Sequence, residues 1–142
     1  MRTQKHISSA IFTQLLRIGG RLQKIGDRLA SEYDLNQPQF VVLHEVANKK
    51  KLIQKDIIEN LVLNKSHVSK MTQKLNRLGY ISIMRTSEDK RRTVLHVTDK
   101  GYIVWKNCLN KFKKWNKEWL RTLTNEQLAQ LHQNINKISK LL

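Results

Sequence analysis

The sequence predicts a mainly α-helical fold that carries one small β-hairpin. Proline occurs once and glycine five times among the 142 residues, and no Gly/Ser-rich linker interrupts the chain, which favours long helices joined by short turns. Apolar residues recur at steps of three and four over most of the chain, as they do along one face of an amphipathic helix. Two runs rich in β-branched residues, 80–84 and 93–97, indicate the strands of the hairpin.

A stripe of apolar side chains predicts a long helix near the N-terminus. Its members follow one another at steps of four and three, which places them on one face, and they are Ile7, Ile11, Leu15, Ile18, Leu22, Ile25 and Leu29. Such a stripe requires a second apolar surface to cover it.

Three short helices are predicted between this first helix and the hairpin. Asn36 is a typical N-cap residue and Pro38 fits a first turn, and the helix that they open is predicted to bury Phe40, Val41, Leu43, Val46 and Ala47. Residues 54–61 fit a second helix. Asn64 caps the third helix, which ends at Gly79 and is predicted to bury Val68, Met71, Leu75 and Leu78.

Two longer helices are predicted after the hairpin. Thr98 can cap the first of them, and Thr124 with Gln127 forms a capping-box pattern for the second. Two short helices joined by a turn of a few residues and followed by a hairpin are the pattern of a winged helix-turn-helix. The hairpin loop, residues 85–92, is the wing.

The charge of the chain points to polyanionic partners. Lysine and arginine total 27 against 11 acidic residues, which gives a formal net charge of +16. A surface of this kind attracts nucleic acid, an anionic membrane or an acidic protein. Charge alone leaves all three open.

The third short helix and the wing supply candidate contacts to duplex DNA. The major groove is wide enough for a helix, and the polar residues on the open face of this helix are Lys65, Ser66, His67, Ser69, Lys70, Gln73, Lys74 and Arg77. The wing carries Asp89, Lys90, Arg91 and Arg92, and an arginine there suits the narrow minor groove. Asp89 is better explained as a partner that orients an arginine. The alternatives are a solvated helix face and an incidental charged turn.

The wing sequence resembles the signature of the MarR family of bacterial transcription regulators. The family pattern D-x-R-x-x-x-L-x-L-T-x-x-G is met from Asp89 to Gly101, with Val97 in place of one leucine. The resemblance implies a two-fold dimer on a near-palindromic operator, Arg91 as the minor-groove reader and Asp89 as its orienting partner. It also implies a repressor that is released when a small aromatic or anionic effector binds.

Candidate residues for an effector pocket are Arg17, Arg21, His44 and Trp105, with Trp115 and Trp119 as further aromatic side chains. For the tryptophans the alternative is ordinary packing in the core.

A homodimer also follows from the apolar pattern. The first helix and the last two helices carry more apolar surface than a small winged core can cover. The alternative is that these three helices close one bundle within the chain. We therefore assign residues 1–35 to an N-terminal dimerisation helix, 36–100 to the winged helix-turn-helix DNA-binding region and 101–142 to C-terminal dimerisation helices, all in one structural domain.

Other classes of function find little support in the sequence. No catalytic triad, paired carboxylates or phosphate-binding loop stands out, so we expect no enzymatic activity and no cofactor. The five histidines lack metal-ligand spacing, and no metal site is predicted. Cys108 cannot form an internal disulfide and fits packing better than redox sensing, and the first helix lacks the cysteine used by the family's peroxide sensors. The absence of a signal peptide or membrane span predicts a cytoplasmic, nucleoid-associated protein.

The sequence thus predicts a sequence-specific, DNA-binding transcriptional regulator. A less specific architectural or RNA-binding winged-helix protein is the alternative, and a protein-interaction scaffold is a third candidate.

Overall fold

The computed structural model describes residues 2–49, 52–61, 63–86 and 92–142. In these residues the chain forms the helices α1 (Arg2–Ala30), α2 (Gln37–Asn48), α3 (Gln54–Leu61), α4 (Lys65–Arg77), α5 (Asp99–Leu120) and α6 (Asn125–Ser139). The strands are β1 (Leu52–Ile53), β2 (Ile81–Arg85) and β3 (Thr93–Val97), and a single 3-10 turn, Ser31–Tyr33, follows α1. Two compact units divide the chain, Met1–Cys108 and Leu109–Leu142. The mainly α fold with a small β-wing is confirmed.

Side-chain caps set the helix starts that the sequence predicted. The Asn36 side chain accepts a hydrogen bond from the Gln39 N–H, and the Gln39 side chain accepts one from the Asn36 N–H, both at 3.0 Å. Asn64 Oδ1 accepts from the His67 N–H at 2.9 Å. Thr124 and Gln127 form the second capping box. Each cap satisfies N–H groups that have no partner inside the helix, and this fixes where the helix begins.

The sheet has one strand more than the sequence predicted. Its order is β1-β3-β2 and both pairings are antiparallel. In β1, Leu52 pairs with Leu95 and Ile53 with Val94. A two-residue strand is too short to show the alternation by which strands are recognised, so β1 becomes visible only through its pairing with β3. The wing strand β2 begins at Ile81, one residue later than predicted.

The core of the first unit lies between α2, α3, α4 and the sheet. Its fully buried side chains are Val42, Leu43, Val46, Leu52, Ile57, Val68, Thr72, Leu75, Ile81 and Leu95. The predicted apolar face of α2 was partly wrong, because Val41 and Ala47 are only half-buried, whereas Val42, which was not predicted, is buried. In α4, Thr72 takes a core position, and its hydroxyl donates to Ser69 O at 3.0 Å. The buried hydroxyl therefore costs little.

The apolar stripe of α1 is half-buried at its C-terminal end, at Ile25 and Leu29, and exposed at the other end. Ala30 is fully buried, and Asp27 Oδ1 accepts from the Gln37 N–H at 2.8 Å, which joins the end of α1 to the start of α2. Earlier in the helix the large apolar side chains are 38% to 65% exposed, and they are Ile7, Ile11, Phe12, Leu15, Leu16, Ile18 and Leu22. Among the described residues of the first unit, nothing covers this face.

The second unit also leaves apolar side chains exposed. The rings of Trp115 and Trp119 lie 5.4 Å apart in α5. Trp119, Leu131 and Ile135 are 43%, 40% and 49% exposed. These side chains are available for contacts with another surface.

Helix α4 ends in a Schellman motif. The Gly79 N–H donates to Asn76 O at 3.0 Å and the Tyr80 N–H donates to Leu75 O at 2.9 Å. Gly79 has a φ of +76°, a conformation that glycine adopts without steric cost. The predicted end of the helix is confirmed.

The start of α5 is locked onto this turn. The Thr98 N–H donates to Tyr80 O at 3.1 Å, the Thr98 hydroxyl donates to Gly79 O, and the same hydroxyl accepts from the Gly101 N–H at 3.0 Å. Lys100 Nζ donates to Leu78 O at 2.9 Å. Gly101 is buried against the Tyr80 carbonyl, so close that an added Cβ would lie 1.8 Å from its oxygen. Thr98 and Gly101 form the Thr-x-x-Gly part of the wing signature, and both are required for the close packing of α5 on this turn.

We expect Gly101→Ala to destabilise the fold far more than Gly79→Ala. At Gly101 the new methyl group would collide with backbone, with a cost of about 3 kcal/mol or more. At Gly79 there is space for a Cβ but the positive φ remains, with a cost of about 1 kcal/mol. Urea denaturation of both variants measures the difference, and equal losses would contradict the packing described for Gly101.

Candidate nucleic-acid interface

One line of exposed polar side chains runs along α4. Ser66, Lys70, Gln73 and Arg77 follow one another at steps of four, three and four, so they share one face of the helix, and all four are exposed. Val68 and Leu75 lie on the buried side. The helix thus presents hydroxyl, amide and cationic groups along its outer face, a mixture that suits base edges and phosphates.

The first turn of α4 contains a contact between the Asn64 cap and the His67 ring. Asn64 Oδ1 accepts the His67 N–H, and this orients the carboxamide so that Asn64 Nδ2 faces His67 Nδ1 at 3.2 Å. His67 is exposed. In the next turns Gln73 Nε2 donates to Ser69 Oγ at 3.4 Å.

A basic groove lies beside the start of α4. Its volume is about 610 Å³, and its lining comprises Ile53, Gln54, Lys55, Asp56, Ile58, Lys65, Arg92 and Thr93. The groove brings together Lys65 of α4 and Arg92 at the base of the wing, two of the residues that the sequence predicts to contact DNA. Lys55 of α3 also lines the groove, although it was not predicted there. The other predicted wing residues, Asp89, Lys90 and Arg91, lie outside the described residues.

Lys74 differs from the other residues that are predicted to contact DNA on α4, the predicted recognition helix. Its side chain is half-buried, and its Nζ donates to Gln39 Oε1 of α2 at 3.2 Å. Lys70, one turn earlier, is exposed. The two lysines therefore have different surroundings although the sequence assigns them the same role. No feature of the sequence pairs Gln39 with Lys74, which are 35 residues apart.

Of the predicted effector-pocket residues, the structure joins His44 and Trp105. Trp105 Nε1 donates to His44 Nδ1 at 3.0 Å. The Phe40 ring centroid lies 6.2 Å from that of His44. The Tyr102 ring centroid lies 5.2 Å from that of Trp105. Asn48 Nδ2 lies 2.8 Å from His44 Nε2.

The two predicted pocket arginines are exposed on α1. Arg17 borders a shallow depression whose lining is His6, Ser9, Ala10, Thr13, Gln14 and Arg17 itself. All of these residues belong to α1. Neither this depression nor the basic groove beside α4 includes His44 or Trp105 in its lining.

The described ranges show neither a metal cluster nor a membrane-spanning helix, and their one cysteine is buried. No group of three or more histidine, cysteine or acidic side chains is placed to hold a metal ion there. Within the same part of the chain, no helix combines the length and the apolarity needed to cross a membrane. Cys108 is buried, and its burial raises the pKa of the thiol to about 12.

Comparison with known proteins defines the class of the domain. Residues 35–101 match the family model of the winged helix DNA-binding domain. An HTH-type transcriptional regulator of Bacillus cereus is 23% identical over 135 residues, which cover 94% of this chain and 90% of that protein. The central region is therefore a winged-helix DNA-binding domain, and the relatives are regulators of transcription and not enzymes.

Solved structures extend the likeness to nearly the whole chain. A MarR-like transcription regulator from Bacillus cereus has a TM-score of 0.83 and 26% identity, with 95% of this chain and 97% of that one covered. The Staphylococcus aureus regulator MepR, in a complex with DNA, has a TM-score of 0.85 and 22% identity, with coverages of 92% and 98%. PcaV of Streptomyces coelicolor, bound to its natural ligand, has a TM-score of 0.73 and 24% identity, with coverages of 87% and 89%. The chain is a winged-helix transcriptional regulator with the fold of the MarR family, as the wing signature predicted.

We expect the Cys108 thiol to resist modification in the native protein. A thiol with a raised pKa is almost fully protonated near neutral pH, and burial blocks access to reagents. Labelling with a chromogenic disulfide reagent is expected to be slow in buffer and to reach one thiol per chain after denaturation in urea. Rapid labelling or rapid peroxide oxidation of the folded protein would contradict this structural role.

Proposed function

We propose that this regulator binds a near-palindromic operator in duplex DNA as a homodimer and represses transcription until a small effector releases it. The observation that carries the proposal is the exposed line of Ser66, Lys70, Gln73 and Arg77 on α4. In a winged-helix domain this helix enters the major groove. Lys65, His67 and Ser69 extend the contact surface at its N-terminal end. Such a protein acts on the nucleoid in the cytoplasm.

The wing is the second contact in this proposal. Arg92 lines the groove next to Lys65, so the base of the wing and the start of α4 face the same space. A wing that carries Lys90 and Arg91 can extend from this base to the adjacent minor groove, where arginine is attracted by the enhanced negative potential. Asp89 is proposed to orient Arg91. MepR, which shares the fold, was solved as a complex with DNA, and this supports DNA as the partner.

The homodimer is supported by the uncovered apolar face of α1. The exposed side chains from Ile7 to Leu22 form a patch that a monomeric protein rarely leaves in water. A second copy of the chain offers the same patch, and a two-fold axis brings like surfaces together. Two copies of α4 would then reach DNA about one helical turn apart, and this accounts for a near-palindromic operator.

The effector is proposed to bind beside His44 and Trp105. Their aromatic rings, with those of Phe40 and Tyr102, give a small aromatic molecule flat surfaces to stack on. The arginines Arg17 and Arg21 are the predicted partners of its anionic group. The ligand-bound structure of PcaV supports an effector in a protein of this fold. Release from DNA requires that the effector bind the DNA-free conformation more tightly.

Substitution of Lys70 tests the DNA interface. We expect Lys70→Ala to weaken binding to duplex DNA and to reduce the slope of log affinity against log salt by about one unit, because one phosphate contact is lost. Gln73→Ala should leave the slope unchanged and reduce the preference for operator over random DNA about tenfold, as expected for a base contact. Fluorescence anisotropy over a salt series measures both quantities.

The matched control is Lys137→Ala, which removes an exposed lysine of α6 outside the winged-helix domain. It should leave both the slope and the sequence preference near those of the parent protein. An unchanged slope for Lys70→Ala, or equal losses for Lys70→Ala and Lys137→Ala, would refute the interface. Equal affinity of the parent protein for all duplexes, or for RNA, would favour the less specific alternative.

A charge placed in the α1 patch tests the dimer. Leu15 is 45% exposed in the single chain, and Leu15→Glu would bury a carboxylate in an apolar interface, which is strongly unfavourable. Light scattering after size exclusion should show a dimer for the parent protein and a monomer for Leu15→Glu. Thr13→Glu places the same charge off the apolar stripe and should remain dimeric. A monomeric parent protein would contradict the proposal.

Phenolic acids test the effector pocket. A ligand that binds only the folded protein raises its melting temperature, and an effector of the proposed kind also releases bound DNA. At least one member of a phenolic acid panel should do both, and Trp105→Ala should abolish both effects while Trp119→Ala keeps them. A panel without any shift or release, or one whose effects survive Trp105→Ala, would remove the pocket from the proposal.

A further inference from the structure

A chain of hydrogen bonds ties α4 to α2 and α1. Lys74 Nζ donates to Gln39 Oε1 at 3.2 Å, and the Asn36 N–H donates to the same oxygen at 3.0 Å. One residue after Asn36, the Gln37 N–H donates to Asp27 Oδ1 at 2.8 Å. The N-terminal end of α2 thus contacts both the recognition helix and the helix whose apolar face is uncovered.

Gln39 Oε1, which accepts the hydrogen bond from Lys74, is held in place by other contacts. Gln39 belongs to the capping box of α2, in which Asn36 and Gln39 bond each other through backbone N–H and side chain. Its carboxamide is therefore fixed by the cap, and Lys74 meets an oxygen that is already oriented. A half-buried lysine that is held in this way has lost rotamer freedom, whereas the exposed Lys70 keeps it.

The electrostatics of this contact are unusual for a lysine. The N-terminal end of a helix carries partial positive charge, so a nearby ammonium group is disfavoured and a carboxylate is favoured. Asp27 supplies the carboxylate at the N-terminal end of α2, and Gln39 supplies a neutral acceptor. A cation in this position indicates a specific contact and not a general preference of lysine for the surface.

We propose that Lys74 is a positioning residue, which fixes α4 against the cap of α2 and does not neutralise a DNA phosphate. This inference rests on the proposed function, in which α4 reads DNA, and it changes the role that the sequence predicts for Lys74. It also gives α1 a path to the recognition helix, through Asp27 and the cap.

The salt dependence of DNA binding separates the two roles. If Lys74 positions α4, Lys74→Ala lowers the affinity for a fixed mixed-sequence duplex about fivefold while the salt slope stays that of the parent protein, because the number of neutralised phosphates is unchanged. Lys70→Ala is the matched comparison and loses about one unit of slope. A loss of about one unit for Lys74→Ala as well would overturn the proposal.

A double-mutant cycle with Gln39 provides the second readout. Gln39→Ala keeps the lysine charge but removes its anchor, so it should lower the affinity as much as Lys74→Ala does, and the double variant should be no weaker than either single variant. Asn36→Ala removes the cap oxygen but leaves the acceptor of Lys74, and should bind DNA like the parent protein. Additive losses, or an unaffected Gln39→Ala, would overturn the positioning role.

Failure of this inference and failure of the proposed function give different results. If the parent protein does not bind duplex DNA, or if Lys70→Ala leaves the slope unchanged, the DNA interface itself is wrong. If the parent protein binds and Lys70→Ala loses its unit of slope, the interface stands and the result for Lys74→Ala decides the inference alone. All variants are compared in the full chain, at a temperature where circular dichroism shows them folded.

Discussion

The junction between the turn at Gly79 and Tyr80 and the first turn of α5 is the contact on which the remaining DNA-binding geometry depends. There the recognition helix ends, the wing strand β2 begins, and Thr98 bonds backbone atoms of both turn residues. Gly101 permits this approach because a side chain would collide with the Tyr80 carbonyl. The end of α4, the start of β2 and the first turn of α5 are thereby held together. An interface that reads DNA requires such rigidity in the elements that carry its side chains.

Local signals made much of this fold predictable. Asn36, Asn64 and Thr124 are capping residues whose hydrogen bonds depend on neighbours three positions away, and the left-handed Gly79 closes α4 within the same short range. Features that depend on distant residues were missed. Strand β1 exists only through its pairing with β3. Thr72 reaches the core because its hydroxyl bonds Ser69 within the helix, a compensation that a hydrophobic pattern does not show.

In the candidate site, too, local features were predictable from the sequence and contacts between distant residues were not. The exposed face of α4 follows from helical periodicity, so the sequence identified Ser66, Lys70 and Gln73 together. The anchor of Lys74 on Gln39 and the place of Lys55 in the basic groove are tertiary contacts. The count of lysines and arginines in the sequence therefore overstates how many cations line the basic groove. Lys49 is paired with Glu45 at 3.5 Å, and exposed lysines such as Lys113 and Lys117 have no assigned contact and add to general attraction for DNA.

The central claim is that two copies of α4 read one operator, and selection from a random duplex library tests it most directly. Duplexes retained by the parent protein over successive rounds are sequenced, so no operator has to be known beforehand. The account predicts enrichment of two inverted half-sites whose centres are about one helical turn apart. Enrichment of a single unpaired half-site, or retention of duplexes without any common sequence, would contradict it.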